Sequence, residues 1–133
     1  MRRTLLALPL LLAGCAGSWP SGSYVQAISP DDAKVLAPAV ADCVAAILPS
    51  KQDIHTESAG SDDPIAALLP PFLDRAGFTE TSTGTAVSYV AGPMDSGVLL
   101  RVSVENRAGS ARYFTRATNG ILTPGGPTTV TTS

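Results

Sequence analysis

The stretch "VLLRVSVENRAGSARYFTRAT" (Val98–Thr118) decides the fold, because its first half alternates without a break. Val98, Leu100, Val102 and Val104 fall on one side and Leu99, Arg101, Ser103 and Glu105 on the other. That is the two-residue period of a strand with one buried face. "NRAG" has turn composition and "SARYFTRAT" reads as the returning strand, so the segment predicts an antiparallel hairpin. Two registers stay open: a turn with Gly109 as a bulge brings Phe114 onto the valine face, and a one-residue shift brings Tyr113 there instead. In either register Arg101, Arg112 and Arg116 gather on or near the hairpin. They form a solvated face with local ion pairing, or a basic patch that meets an acidic partner.

Upstream, "TAVSYVAG" (85–92) and the turn "GPMDSG" add a strand, and "QDIHTES" (52–58) reads as a short one. Two helices precede and separate these. In "SPDDAKVLAPAVADCVAAILPS" (29–50), Ser29 caps, Pro30 suits the first turn, and Asp31 and Asp32 complement the positive helix end. Val35/Leu36, Ala39/Val40, Cys43/Val44 and Ile47/Leu48 recur at helical spacing, with a kink expected at Pro38. In "DDPIAALLPPFLDRAGF" (62–78), Asp62 or Asp63 caps, and Ile65, Leu68, Leu69, Phe72 and Leu73 form the buried stripe. Gly77 is the left-handed stop, and Pro70 and Pro71 predict a kink or break. The fold expectation is α+β: a small two-layer domain over residues 29–123, with two helices packed on a three- to four-stranded, mainly antiparallel sheet. Residues 124–133, rich in threonine and without a packing period, are expected to be a disordered tail.

The amino terminus bears on function. Arg2 and Arg3 precede an apolar run, Thr4 to Ala13, which is far shorter than the roughly 20 residues that cross a bilayer as a helix. The run ends in "LLAGC" (11–15), which resembles the lipobox of bacterial lipoproteins, where small residues admit the backbone to a peptidase and the cysteine sulfur takes the lipid. Residues 1–14 are then an export signal and Cys15 is the acylated first residue of the mature chain. Ala16 in place of Asp points, by the same resemblance, to the periplasmic face of the outer membrane.

Residues 15–28 read as a lipidated flexible tether, rich in Gly and Ser. Its large side chains include Trp19, Tyr24 and Val25. Either the Trp19 ring sits at the headgroup level, or the segment docks in extended form on a partner's groove or sheet edge. Lipidation of Cys15 leaves Cys43 without an internal disulfide partner. On the helix stripe Cys43 reads as a small buried hydrophobe, against the alternative of a reactive thiol.

The mature chain would hold 7 basic against 11 acidic residues, a formal charge of −4, which gives no field that attracts nucleic acid. His55 is the sole histidine, and with Asp53 and Glu57 on one strand face it reads as a solvent-facing edge, since metal sites assemble three or four ligands. No Gly-x-Ser-x-Gly elbow or phosphate-binding glycine loop occurs. The expectation is a protein that is not an enzyme, with no catalytic residue, no metal, and no cofactor beyond the covalent lipid on Cys15.

The lipobox, the tether with "YVQA" (24–27), the helix from Asp31, the helix closing in "LDRAGF" (73–78) and the pair "LLRVSVENRAGSARYFTRA" (99–117) together resemble the TrbH-type lipoproteins of conjugal-transfer systems. The resemblance implies an outer-membrane-anchored structural component of a type IV secretion apparatus that forms mating pairs. Its partners would be the bilayer, through Cys15, and the channel subunits. The candidate contacts are Trp19, Tyr24, Val25, Arg101, Arg112 and Arg116. The alternative is a stand-alone envelope lipoprotein that binds a small ligand or regulates an envelope enzyme.

Overall fold

A computed structural model describes residues 22–49, 51–105 and 108–132. The leader, Cys15 and Trp19 lie outside the described residues. The elements run β1 (Tyr24–Val25), α1 (Pro30–Ile47), β2 (Asp53–Thr56), α2 (Pro64–Arg75) and β3 (Thr79–Glu80). Then come β4 (Thr85–Met94), β5 (Gly97–Val104), β6 (Ala108–Arg116), β7 (Leu122–Pro124) and β8 (Thr129–Thr132).

The antiparallel meander β4–β5–β6 is the spine. Val87, Tyr89 and Ala91 of β4 pair with Val104, Val102 and Leu100 of β5. Leu100, Val102 and Val98 pair in turn with Arg112, Ser110 and Phe114 of β6. This register puts Phe114, not Tyr113, on the valine face. On the inner face the β4 and β5 side chains are apolar and buried, β6 adds Phe114 beside Ser110 and Arg112, and α1 covers it.

Shorter strands extend the meander on both sides. Along the free edge of β4, β2 pairs parallel with its first half and β1 with its second, and β3 adds outside β2. Along β6, β8 pairs with the first half and β7 with the second. The result is an eight-stranded mixed sheet that curls into a half-barrel, which corrects the expected three- to four-stranded, mainly antiparallel sheet. The extra strands are two to four residues long, too short to show a period, and exist because a long neighbour offers them an edge. Two expectations change with them. The end of the tether is part of the domain, since Tyr24 and Val25 form β1. The C-terminal segment expected to be a disordered tail contributes β8, whose β-branched Thr129, Val130, Thr131 and Thr132 suit a strand.

The helix ends follow the sequence. Ser29 Oγ accepts from the Asp32 amide at 3.0 Å while Asp32 Oδ2 accepts from the Ser29 amide at 3.3 Å, a reciprocal capping box. Asp63 caps α2, and Gly77, at φ +94°, ends it, with the Phe78 amide bonded to Leu73 O and the Gly77 amide to Asp74 O. Both helices run through their prolines, so of the kink or break expected at Pro70–Pro71 the break does not occur. Those two rings lie on the exposed side of α2, and the buried Leu69 and Leu73 hold the helix to the core on both sides of the pair. α1 is buried on more than one side, at Leu36, Val40 and Val44 but also at Ala33, Ala37 and Ala41, because it lies between α2 and the sheet.

Candidate functional site

A cavity of about 560 Å³ opens between α2 and the β2–β3 edge. Its apolar wall is Ala66, Leu69, Pro70 and Leu73 of α2 together with Phe78. Thr56, Ser58, Thr79 and Glu80 line the opposite side, Asp74 adds a second carboxylate, and Tyr89 reaches it from β4. Among the described residues the lining includes no Lys, Arg or His.

One carboxylate organises the wall behind it. Asp63 accepts at Oδ1 from the Ile65 and Ala66 amides, at 2.9 and 3.0 Å, and at Oδ2 from the Ala59 amide at 2.8 Å and from the Tyr89 hydroxyl. Both residues are buried. Burial, then the bond to Asp63 and its charge, push the Tyr89 phenol well above its ordinary value, so the ring stays neutral. At the opposite rim the Glu80 carboxylate accepts from the Thr56 amide at 2.9 Å and contacts His55 Nδ1 at 3.1 Å. His55 therefore meets a carboxylate from β3, rather than working with the Asp53 and Glu57 that flank it in sequence. Thr56 Oγ1 is buried and has no partner among the described residues.

Ser23, just before β1, lies next to this cavity. Ser23 Oγ donates to the carbonyl of Glu57, the residue between Thr56 and Ser58, and accepts from the Tyr89 amide at 3.0 Å. This contact fills the gap where β2 leaves β4 and β1 joins it. Chemically, the cavity suits an apolar body carrying a hydrogen-bond donor. Among the described lining residues two carboxylates and no cation disfavour an anion.

The three arginines do not form one patch. Arg101 pairs in register with Val90 and Ala111, on the sheet face away from the helices, whereas Arg112 and Arg116 share the inner face with Phe114. The Arg112 guanidinium lies 5.6 Å from the centre of the Phe114 ring. Arg116 reaches the start of α1 and holds Asp32, whose carboxyl it draws below the usual carboxylate range. Of the tether residues, Val25 packs against the core, and Tyr24, 56% exposed, lies on the other face. Cys43 is buried, and burial pushes its thiol up. Among the described residues no group of His, Cys, Asp and Glu could hold a metal ion, and no helix is long and apolar enough to cross a membrane.

The sequence held weak traces of this site. Asp63 was legible as a cap and Tyr89 as a strand residue, but nothing in their spacing joins them. No family model, no curated protein and no solved structure matches the chain.

Proposed function

We propose that this chain is an outer-membrane lipoprotein, anchored at the periplasmic face by acylated Cys15, and a structural component of a conjugative type IV secretion apparatus of the TrbH type. The observation that carries the reading is "LLAGC" (11–15) behind Arg2 and Arg3. The fold adds a length. Ser23, bonded to Glu57 and Tyr89, is eight positions from Cys15, so the two lie within about 28 Å of fully extended chain. The domain would work close to the bilayer, beside subunits assembled there, and its short edge strands at β3 and at β7–β8 are the surfaces that could extend a neighbour's sheet.

The test is intact mass and membrane fractionation of the mature protein, joined to transfer frequency in cells that carry Cys15→Ser. The reading expects a diacylated or triacylated Cys15 as first residue and a loss of transfer when the anchor is removed. An unmodified sulfur or an uncut leader overturns the anchor. Full transfer without the protein overturns the role.

The cavity favours a second reading, a stand-alone envelope lipoprotein that binds a small apolar ligand. That reading expects unchanged transfer and a raised melting temperature with the ligand.

A further inference from the structure

We propose that the indole of Trp19 seats in the cavity between α2 and the β2–β3 edge, so that the tether is pinned to its own domain rather than left to the bilayer or a partner. Three observations converge on this occupant. The first is reach: Ser23 is bonded to Glu57, whose two neighbours Thr56 and Ser58 both line the cavity. Trp19 lies four residues upstream of Ser23, within about 14 Å of extended chain.

The second is chemistry. An indole is a large apolar plate with one N–H donor and no acceptor. The cavity offers the converse: among its described residues an apolar wall at Leu69 and Leu73 faces hydroxyl and carboxylate acceptors at Thr79 and Glu80, with no cation. The third is size, since about 560 Å³ accommodates a ring of this kind with room for the adjoining Pro20.

The seat itself needs no lipid, but its consequence rests on the acylation of Cys15. Trp19 is four residues from Cys15, so a seated ring holds the α2–β3 end of the domain within about 14 Å of the anchor, half the standoff of the free tether. The seat thus sets both the distance and the face that the domain turns to the membrane.

The chain's sole tryptophan makes its own reporter. The mature chain from residue 15, carrying Cys15→Ser so that no lipid is present, is compared with the same chain carrying Ala66→Phe, which fills the cavity. A seated indole gives blue-shifted emission and acrylamide quenching several-fold weaker than for a free tryptophan, and Ala66→Phe restores solvent-like emission and quenching. Nuclear Overhauser contacts from the indole to the methyls of Leu69 and Leu73 in the Cys15→Ser chain decide the matter if Ala66→Phe fails to fold. Solvent-like emission in that chain overturns the proposal. Protection that appears only when the acylated protein is placed in phosphatidylethanolamine–phosphatidylglycerol vesicles also overturns it, in favour of a headgroup position. So does protection that Ala66→Phe, correctly folded, leaves unchanged. None of these results touches the mass of Cys15, so the anchor stands or falls separately.

Discussion

Arg116 and Asp32, 84 residues apart in sequence, meet in a two-pronged ion pair, with the guanidinium nitrogens 2.9 and 3.2 Å from the two carboxylate oxygens. Arg116 also donates to Gly120 O at 2.9 Å, so one side chain ties the first turn of α1 to the end of β6 and to the turn that follows it. Asp32 is 5% exposed and simultaneously closes the capping box with Ser29. Asp32→Ala is expected to cost about 1–3 kcal/mol at neutral pH, because a helix cap and a charge-assisted bond are lost together.

The pH dependence of that loss has a definite sign. The Asp32 carboxyl is held low, chiefly by the bond from Arg116, so its contribution is present above the ordinary aspartate value of about 3.9 and disappears as pH falls through the folded value. Urea unfolding of the wild type and of Asp32→Ala should therefore give the full gap at neutral pH and a narrowing gap in strong acid. A gap that stays constant into acid would mean that the pair is not what the substitution removed.

Tyr89 predicts the opposite limb. Its phenol is raised by burial and by Asp63, so its contribution is full below the ordinary tyrosine value of about 10 and is lost as pH climbs through the folded value. Spectrophotometric titration should show Tyr89 ionising only as the protein unfolds in alkali. Tyr89→Phe should cost about 1–2 kcal/mol at neutral pH, by stripping one donor from the buried Asp63 carboxylate, and should flatten the alkaline fall in stability.

These two pairs mark the limit of what the sequence could reveal. Local chemistry was legible: Ser29 and Pro30 start a helix, Gly77 ends one, and the alternation from Val98 to Glu105 is a strand, because each signal is complete within a few residues. The role of Arg116 was not legible, since the hairpin register decides whether it faces helix or solvent, and register is set by packing against α1. β1 and β3 were hidden for a related reason. A two-residue strand has no pattern of its own and is defined by the edge it joins. At Pro70–Pro71 the break alternative fails because a rule about lost amide bonds takes no account of the core packing of Leu69 and Leu73 that holds the helix on both sides of the pair. The cavity was out of reach altogether, being made by residues from α2, β2, β3 and β4 that meet only once the sheet has curled.

Gly97 offers a sharper test of the register than any strand residue. It closes the two-residue turn Asp95–Ser96 and pairs with Met94, and a Cβ built there would lie 2.0 Å from the Phe114 carbonyl oxygen and 2.7 Å from the Tyr113 hydroxyl. Backbone cannot yield that distance without opening β5 from β6. Gly97→Ala should cost about 3 kcal/mol or more, whereas Gly126→Ala, where a Cβ meets nothing within 4 Å, should stay within about 0.5 kcal/mol of wild type. Thermal unfolding of the two variants checks both values. Near-neutral Gly97→Ala would rule out the Phe114 register.

Cys43 should behave as core. It sits in α1 at 1% exposure, and burial raises its thiol, so the reactive thiolate is scarce and out of reach. In the mature chain carrying Cys15→Ser, a maleimide should label native protein at a rate set by opening of the fold and label urea-unfolded protein at once. Cys43→Ala should cost about 1 kcal/mol and Cys43→Asp far more, since burying a carboxylate in the core costs more than the neighbouring Arg112 returns. Rapid labelling of the folded protein would show that α1 lifts from the sheet readily, and the thiol would then have to be treated as a site rather than as packing.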